Sequence, residues 1–231
     1  MIRLQLLGGF ALSIEDSPVD IPTSSQRLLA VLALRDQALH RSHVSGLLWP
    51  DYGEERAAAN LRTALCRLPL GPGVLVAVNR HQVALSPGVE TDLHQVYGLV
   101  RRVFDHDADV LQLQFVRDEL MVDLLPDWYE DWAIAEQERY NEFRLRALEQ
   151  LCTGLLRAGR TAAAVDVGLA ATAADPLRET AQSLLISSYL AEGNRAKAHW
   201  QFRKFRTQLR RELELEPSPA LTKLMRERYI D

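Results

Sequence analysis

Residues 54–85 read EERAAANLRTALCRLPLGPGVLVAVNRHQVAL, and this stretch decides the fold. Its first half has helical periodicity: Ala57, Ala58, Leu61, Ala64, Leu65 and Leu68 gather on one side of a helix predicted over residues 54–68. Glu54 and Glu55 fall in the first turn, where negative charge suits the helix dipole. Pro69 and Gly71 stop the helix. The second half alternates, with apolar residues over 74–78 and 82–85 around a polar turn at Asn79-Arg80-His81, so it reads as a β-hairpin.

Working towards the N-terminus, two shorter helices precede this one. Thr23-Ser24-Ser25 offers a cap for a helix carrying Leu28, Leu29, Leu32 and Ala33. Ser42 offers another for a short helix with Val44, Leu47 and Leu48, which Trp49-Pro50-Asp51 ends. Before them, two alternating runs separated by Gly8-Gly9 read as short strands, and residues 19–21 read as a third after the turn Glu15-Asp16-Ser17-Pro18. Strands, three helices and a hairpin in about ninety residues are the order of a winged helix-turn-helix with an N-terminal sheet. Ser86-Pro87-Gly88 reads as the exit from the wing and the start of a linker.

From Thr91 onward no strand pattern is visible. Asp92 can cap a helix with Val96, Leu99, Val100 and Val103, and a second segment spans residues 109–117. The corner Leu124-Leu125-Pro126-Asp127-Trp128-Tyr129 leads to a long helix ending near Arg157, striped by Trp132, Tyr140, Phe143, Ala147, Leu148, Leu151 and Leu155. Gly159 and Gly193 then stand 34 residues apart, with Leu156 aligned to Leu190 and Ala164 to Ala198. That is the period of tetratricopeptide repeats. Thr161 and Asn194 are placed to cap the helices that follow, and Asp175-Pro176 and Ser218-Pro219 are two more helix starts. The expected fold is therefore mainly α with a small β part: a winged helix-turn-helix over residues 1–90 and an all-helical, tetratricopeptide-like domain over 91–231.

The chemistry of residues 54–68 lies on the side away from most of the leucines. Arg56, Asn60, Thr63 and Arg67 share a face at i, i+4, i+7 and i+11, with Arg62 beside it. Arg can be bidentate to guanine, Asn to adenine, and Thr can touch a thymine methyl. The alanines keep the helix slim enough for a major groove. A solvated amphipathic helix would show the same face; the short helix before it, the hairpin after it and the charge distribution point to recognition. From Arg56 to Val89 there is no Asp or Glu, in a chain of net charge −4. Arg80 and His81 at the wing tip can enter a minor groove or hold a phosphate, or simply form a solvated turn. The Lys- and Arg-rich outer face of residues 194–214 reads either as solvated surface or as a second site for nucleic acid or an acidic partner.

Other chemistries lack their residues. No phosphate-binding glycine motif occurs. His40 and His43 have no acids or cysteines near them at metal spacing, so no catalytic, cofactor or metal site is expected. The acidic residues Asp51, Glu54 and Glu55 make the loop before the third helix a poor phosphate binder. Cys66 and Cys152 stand alone, no apolar run reaches a membrane-spanning length, and the N-terminus lacks the pattern of a signal peptide, so a reduced cytoplasmic protein is expected.

The chain resembles the SARP family, the Streptomyces antibiotic regulatory proteins, which join an OmpR-like winged helix to a bacterial transcriptional activation domain. The matching stretches are LQLLGGFAL, SSQRLLAVLAL, LLWPD and NLRTALCRL in the first part, and LLPDWYEDW, ERYNEFRLRALEQL and FRKFRTQLRRELELEPSPAL in the second. The resemblance implies an activator that binds direct repeats in double-stranded DNA upstream of promoters as side-by-side protomers or a dimer. It also implies contact with RNA polymerase and, for many members, control of secondary metabolism. Two features depart from the pattern. The third helix ends at Arg67-Leu68-Pro69, where family members commonly carry another basic residue. Residues 1–92 hold eight Arg, no Lys and nine acids, a net charge of −1. These leave open an alternative in which the helical repeat is a protein-interaction or ligand-sensing adaptor and the winged helix is degenerate.

Overall fold

The computed structural model describes residues 1–71, 73–105 and 117–227. The expected segment over 109–117 lies, but for Arg117, outside them. The chain divides into two compact units: the described residues of 1–106 with 122–138, and those of 107–121 with 139–231.

In the first unit, β1 (Ile2–Gln5), β2 (Ala11–Ile14) and β3 (Ser17–Pro18) form antiparallel neighbours. The hairpin between β2 and β3 turns one step earlier than the sequence suggests. Glu15 and Asp16 both have positive φ, 50° and 62°, and make a tight two-residue turn. This places Ser17–Pro18 in the strand and leaves residues 19–21, expected as a strand, outside it. Three helices follow: α1 (Thr23–Arg35), α2 (Arg41–Leu48) and α3 (Glu54–Cys66). Neither expected cap operates. Pro22 precedes α1 without a side-chain bond, and the buried Ser25 hydroxyl instead donates to the Ala64 carbonyl at 2.9 Å, tying α1 to α3. His40 occupies the cap position of α2, and its Nδ1 lies 2.8 Å from the Ser42 hydroxyl.

Two strands escape local reading. β4 (Leu39–His40) joins the hairpin β5 (Val76–Val78) and β6 (Gln82–Leu85) in a three-stranded wing sheet of order β4-β6-β5. Ser86 to Gly88 lead not into a linker but into β7 (Val89–Thr91), which pairs parallel to β1 in a sheet of order β3-β2-β1-β7. A parallel partner so distant in sequence leaves no local signal.

Helix α4 (Asp92–Asp105) follows at once. Thr91 Oγ1 accepts the His94 N–H at 3.2 Å, the bond of a cap residue. Asp92, expected as the cap, accepts the N–H groups of Leu6, Leu7 and Leu93 and so clips the end of β1 to α4. Burial pushes its carboxyl above the ordinary value, against the pull of the Leu7, Leu6 and Leu93 N–H groups. Residues 122–138 complete this unit. Leu124 bridges Leu7, the Gly8 N–H donates to Asp123 at 2.7 Å, and the Leu125 N–H donates to Leu6 at 2.9 Å. Trp128 stacks on Phe10 at 5.9 Å. Arg27 pairs with Glu130 at 2.9 Å and Arg35 with Glu136 at 2.8 Å.

Helix α5 (Asp131–Arg157) has its first residues, 131–138, in the first unit and the remainder in the second. The second unit continues with α6 (Thr161–Ala174), α7 (Glu179–Ala191), α8 (Arg195–Leu213) and α9 (Pro219–Glu227). The repeat is visible in backbone geometry. Gly159 and Gly193 have φ of 71° and 83°. Arg160 donates to the Leu155 carbonyl at 2.9 Å, and Asn194 to that of Tyr189 at 2.8 Å. Each is a left-handed helix stop that glycine allows. Ala164 and Ala198 are wholly buried just beyond. Asn194 caps α8 as expected, accepting the Lys197 N–H, whereas Thr161 makes no cap and Arg160 stands in that position. Asp175-Pro176 forms a turn closed by the Leu177 N–H on Asp175, and α7 starts only at Glu179. Ser218 does cap α9, accepting from Leu221 at 3.2 Å. The fold is a winged helix-turn-helix followed by a tetratricopeptide-like helical domain.

Candidate nucleic-acid interface

Helix α3 buries Ala57, Leu61 and Ala64 and turns its other side to solvent. Arg56, Arg62, Thr63 and Arg67 are exposed and Asn60 is half-buried. Arg56 and Arg67 stand about 16 Å apart along the axis, from the rise of about 1.5 Å per residue. The helix proper ends at Cys66, and Arg67 is its C-cap, with its N–H on the Thr63 carbonyl at 3.1 Å. The hydroxyl of the exposed Thr63 donates back to the Ala59 carbonyl at 3.0 Å. The Arg56 guanidinium lies 4.9 Å from the Tyr52 ring centre, a cation–π contact that holds it without neutralising it. Among the described residues none of Arg56, Arg62, Arg67 and Arg80 has a carboxylate partner.

The wing tip is closed by its own hydrogen bonds. Asn79 Oδ1 accepts the N–H groups of His81 and Gln82 at 2.8 and 2.7 Å, closing the turn and leaving Arg80 and His81 exposed. The His81 ring stacks on His40 with centres 6.2 Å apart.

Sequence reasoning missed Arg41. It starts α2, its N–H donates to the His81 carbonyl at 2.8 Å, and its guanidinium donates to Asn79 at 3.3 Å. With Arg62 it lines a groove of about 400 Å³ between α3 and the wing, floored by Leu65, Cys66, Val76 and Val78. The signal was faint: one arginine at the start of a short helix, made relevant only by β4 pairing with the wing. The structure thus brings Arg62, Arg41 and the wing tip into one neighbourhood, while Arg56 and Asn60 lie further toward the helix N-terminus. This surface offers unpaired guanidiniums, an amide and a methyl group, the equipment for phosphate and base-edge contacts. No cluster of three or more His, Cys, Asp or Glu side chains suited to a metal occurs among the described residues. No helix there is long and apolar enough to cross a membrane.

Comparison with known proteins bears on the second half through a family model and on most of the chain through two relatives. Residues 113–227 match the family of the bacterial transcriptional activator domain. Over 211 residues the chain is 31% identical to the regulatory protein AfsR of Streptomyces coelicolor, an alignment covering 85% of this chain and 21% of AfsR. The chain therefore spans about a fifth of that relative's length. The solved structure of Mycobacterium tuberculosis EmbR, in complex with a low affinity phosphopeptide, matches with a TM-score of 0.74 over 99% of this chain and 65% of EmbR, at 20% identity. The likeness to EmbR is one of fold.

Proposed function

The chain belongs to the SARP-type regulators built on the bacterial transcriptional activator domain, and on that premise we propose that it is a sequence-specific DNA-binding transcriptional activator. In this reading residues 1–90 read direct repeats upstream of a promoter, and residues 91–231 help recruit RNA polymerase, in the cytoplasm and without enzymatic activity. Arg56 and Asn60 contact base edges, with the Thr63 methyl beside them. Arg62, Arg67, Arg80, His81 and Arg41 hold phosphates on either side. The observation that carries the proposal is the exposed face of α3, free of carboxylate partners among the described residues, beside a wing tip held by its own hydrogen bonds.

The test is a mobility-shift titration with the DNA upstream of the chain's own operon. A shift at low salt should fade with a slope of about −3 to −4 in log affinity against log salt per protomer, from the phosphate contacts of Arg41, Arg62, Arg67 and Arg80. Footprints on repeats about one turn, or roughly 10–11 bp, apart would place protomers side by side. The net charge of −1 over residues 1–92 favours a second reading, a helical adaptor with a degenerate winged helix. Absence of any shift at low salt would select it.

A further inference from the structure

Helix α8 carries a second cationic face, built differently from that of α3. Residues 195–211 contain seven Lys or Arg and no Asp or Glu. The inner side of α8 buries Ala198, Gln201, Phe205 and Leu209, three of which pack with Leu185, Leu221 and Met225 in the core of the second unit. On its outer side Ala196, Trp200, Arg203, Lys204, Thr207 and Arg211 line a shallow groove of about 670 Å³.

Two observations say what this groove suits. Trp200 is 61% exposed, although an indole is among the largest apolar surfaces a residue can offer. The Lys204 ammonium sits 5.3 Å from its ring centre, leaving the rest of the ring open. The surrounding charge is also narrow. Arg206 and Arg210, further round the helix, are both taken by Glu216, and Arg211 pairs with Glu212 at 2.7 Å. Arg203 and Lys204 have no carboxylate partner among the described residues. Arg195 also has no carboxylate partner among the described residues and Lys197 lies over the Tyr189 ring, but neither lines the groove, where Arg203 and Lys204 stand beside the open indole.

We propose that this groove docks an acidic segment of a partner protein. The segment's carboxylates pair with Arg203 and Lys204, and one of its apolar side chains packs on Trp200. A nucleic-acid duplex presents rigid rows of phosphates and is best met by a broad surface of unpaired cations. Here Arg206, Arg210 and Arg211 are neutralised, and an exposed indole stands among the cations that are left. Trp and Arg are enriched among the residues that anchor protein interfaces. The surface lies wholly in the second unit, so the inference is independent of DNA binding through α3.

The test uses the full chain and a synthetic Asp/Glu-rich peptide of about a dozen residues with a central Phe, titrated by calorimetry at physiological salt. Binding is expected to weaken about fivefold or more when that Phe is Ala, and likewise in Trp200→Ala. The Arg203→Glu, Lys204→Glu double variant should weaken it more than about tenfold. These side chains are exposed, so the helical spectrum and melting temperature should stay as in the parent chain. Absence of binding, or binding that survives the double variant, overturns the proposal. So does a random-sequence duplex that competes with the peptide and itself loses affinity in the double variant, since the face would then serve nucleic acid. Self-association that the double variant abolishes would assign the groove to a second copy and equally overturn it.

Discussion

The two units of this chain are held together in opposite ways. In the first, the N-terminal strand β1 takes its partners from β2 nearby, from β7 some ninety residues on, and, just past its end, from Leu124 and Leu125. In the second, α6 packs on α7 and α7 on α8, each helix meeting its neighbour in sequence, with the Gly159 and Gly193 turns repeating one geometry. The first unit therefore needs distant segments present together, while the second is assembled from successive pieces. The cationic helices differ in step. The arginines of α3 stand clear of carboxylates among the described residues, whereas α8 has more cations and several already engaged. The number of cations on a helix is thus a poor guide to what it binds; how many remain unpaired, and what lies between them, is the better one.

The largest effect should come from cutting the first unit at its apparent end in sequence. A fragment of residues 1–105 lacks Leu124, Leu125, Trp128 and both carboxylates that pair with Arg27 and Arg35. It is expected to lose its cooperative thermal transition by circular dichroism. Removing α9 alone should leave the second unit with a cooperative, though lower, transition. If the 1–105 fragment melts within a few degrees of the full chain, the contrast between the units is wrong.

Next are the α3 side chains. Arg56→Ala and Asn60→Ala should each weaken specific DNA binding by about 1–3 kcal/mol, roughly tenfold or more, with melting unchanged. Arg206→Ala, on an α8 arginine already paired with Glu216, should leave DNA binding as it was. Equal losses in the two helices would erase the distinction drawn between them.

Gly168→Ala probes the packing of the second unit. A Cβ there would meet the Leu185 Cα at 3.0 Å, so α6 and α7 must part. A loss of about 1–3 kcal/mol in urea denaturation is expected. No loss would mean the helices sit more loosely than their contact suggests.

The smallest effect is on the pH dependence of stability, and its sign differs between units. Burial raises the Asp92 carboxyl, so the folded chain holds that proton more tightly than the unfolded one. Its contribution becomes more favourable as pH falls through the carboxylate range. Glu142 in the second unit is held low by the Arg178 hydrogen bond, so its contribution is present at neutral pH and is lost as pH falls. In acid melts Asp92→Asn should remove the gain and Glu142→Gln the loss. Shifts of the same sign would contradict the two environments.

Much of this was legible in the residues themselves. The apolar spacing of α3, the Asn79-Arg80-His81 turn and the glycine pair of the helical repeat are local patterns, and local backbone physics acts on them directly. The caps were read less well, because Ser, Thr and Asp side chains bond to whatever N–H or carbonyl lies nearest. For Ser25 that partner is Ala64, and for Asp92 it is the end of β1. Arg41 was passed over for the same reason: its place beside Arg62 depends on β4 pairing with the wing.

By itself, then, the amino-acid sequence determined the helices α1 to α3 and the wing hairpin, where the helical repeat falls, and which side of α3 carries Arg56, Asn60 and Thr63, with Arg67 at its cap. Periodicity and glycine conformation act over a few residues and need no partner. Tertiary structure alone decided that β7 lies beside β1, that residues 122–138 close the first unit, and that Glu216 neutralises Arg206 and Arg210 while Trp200 stays open. Those outcomes depend on which distant hydrogen-bonding groups, apolar surfaces and charges meet once the chain is compact, and no local spacing encodes that meeting.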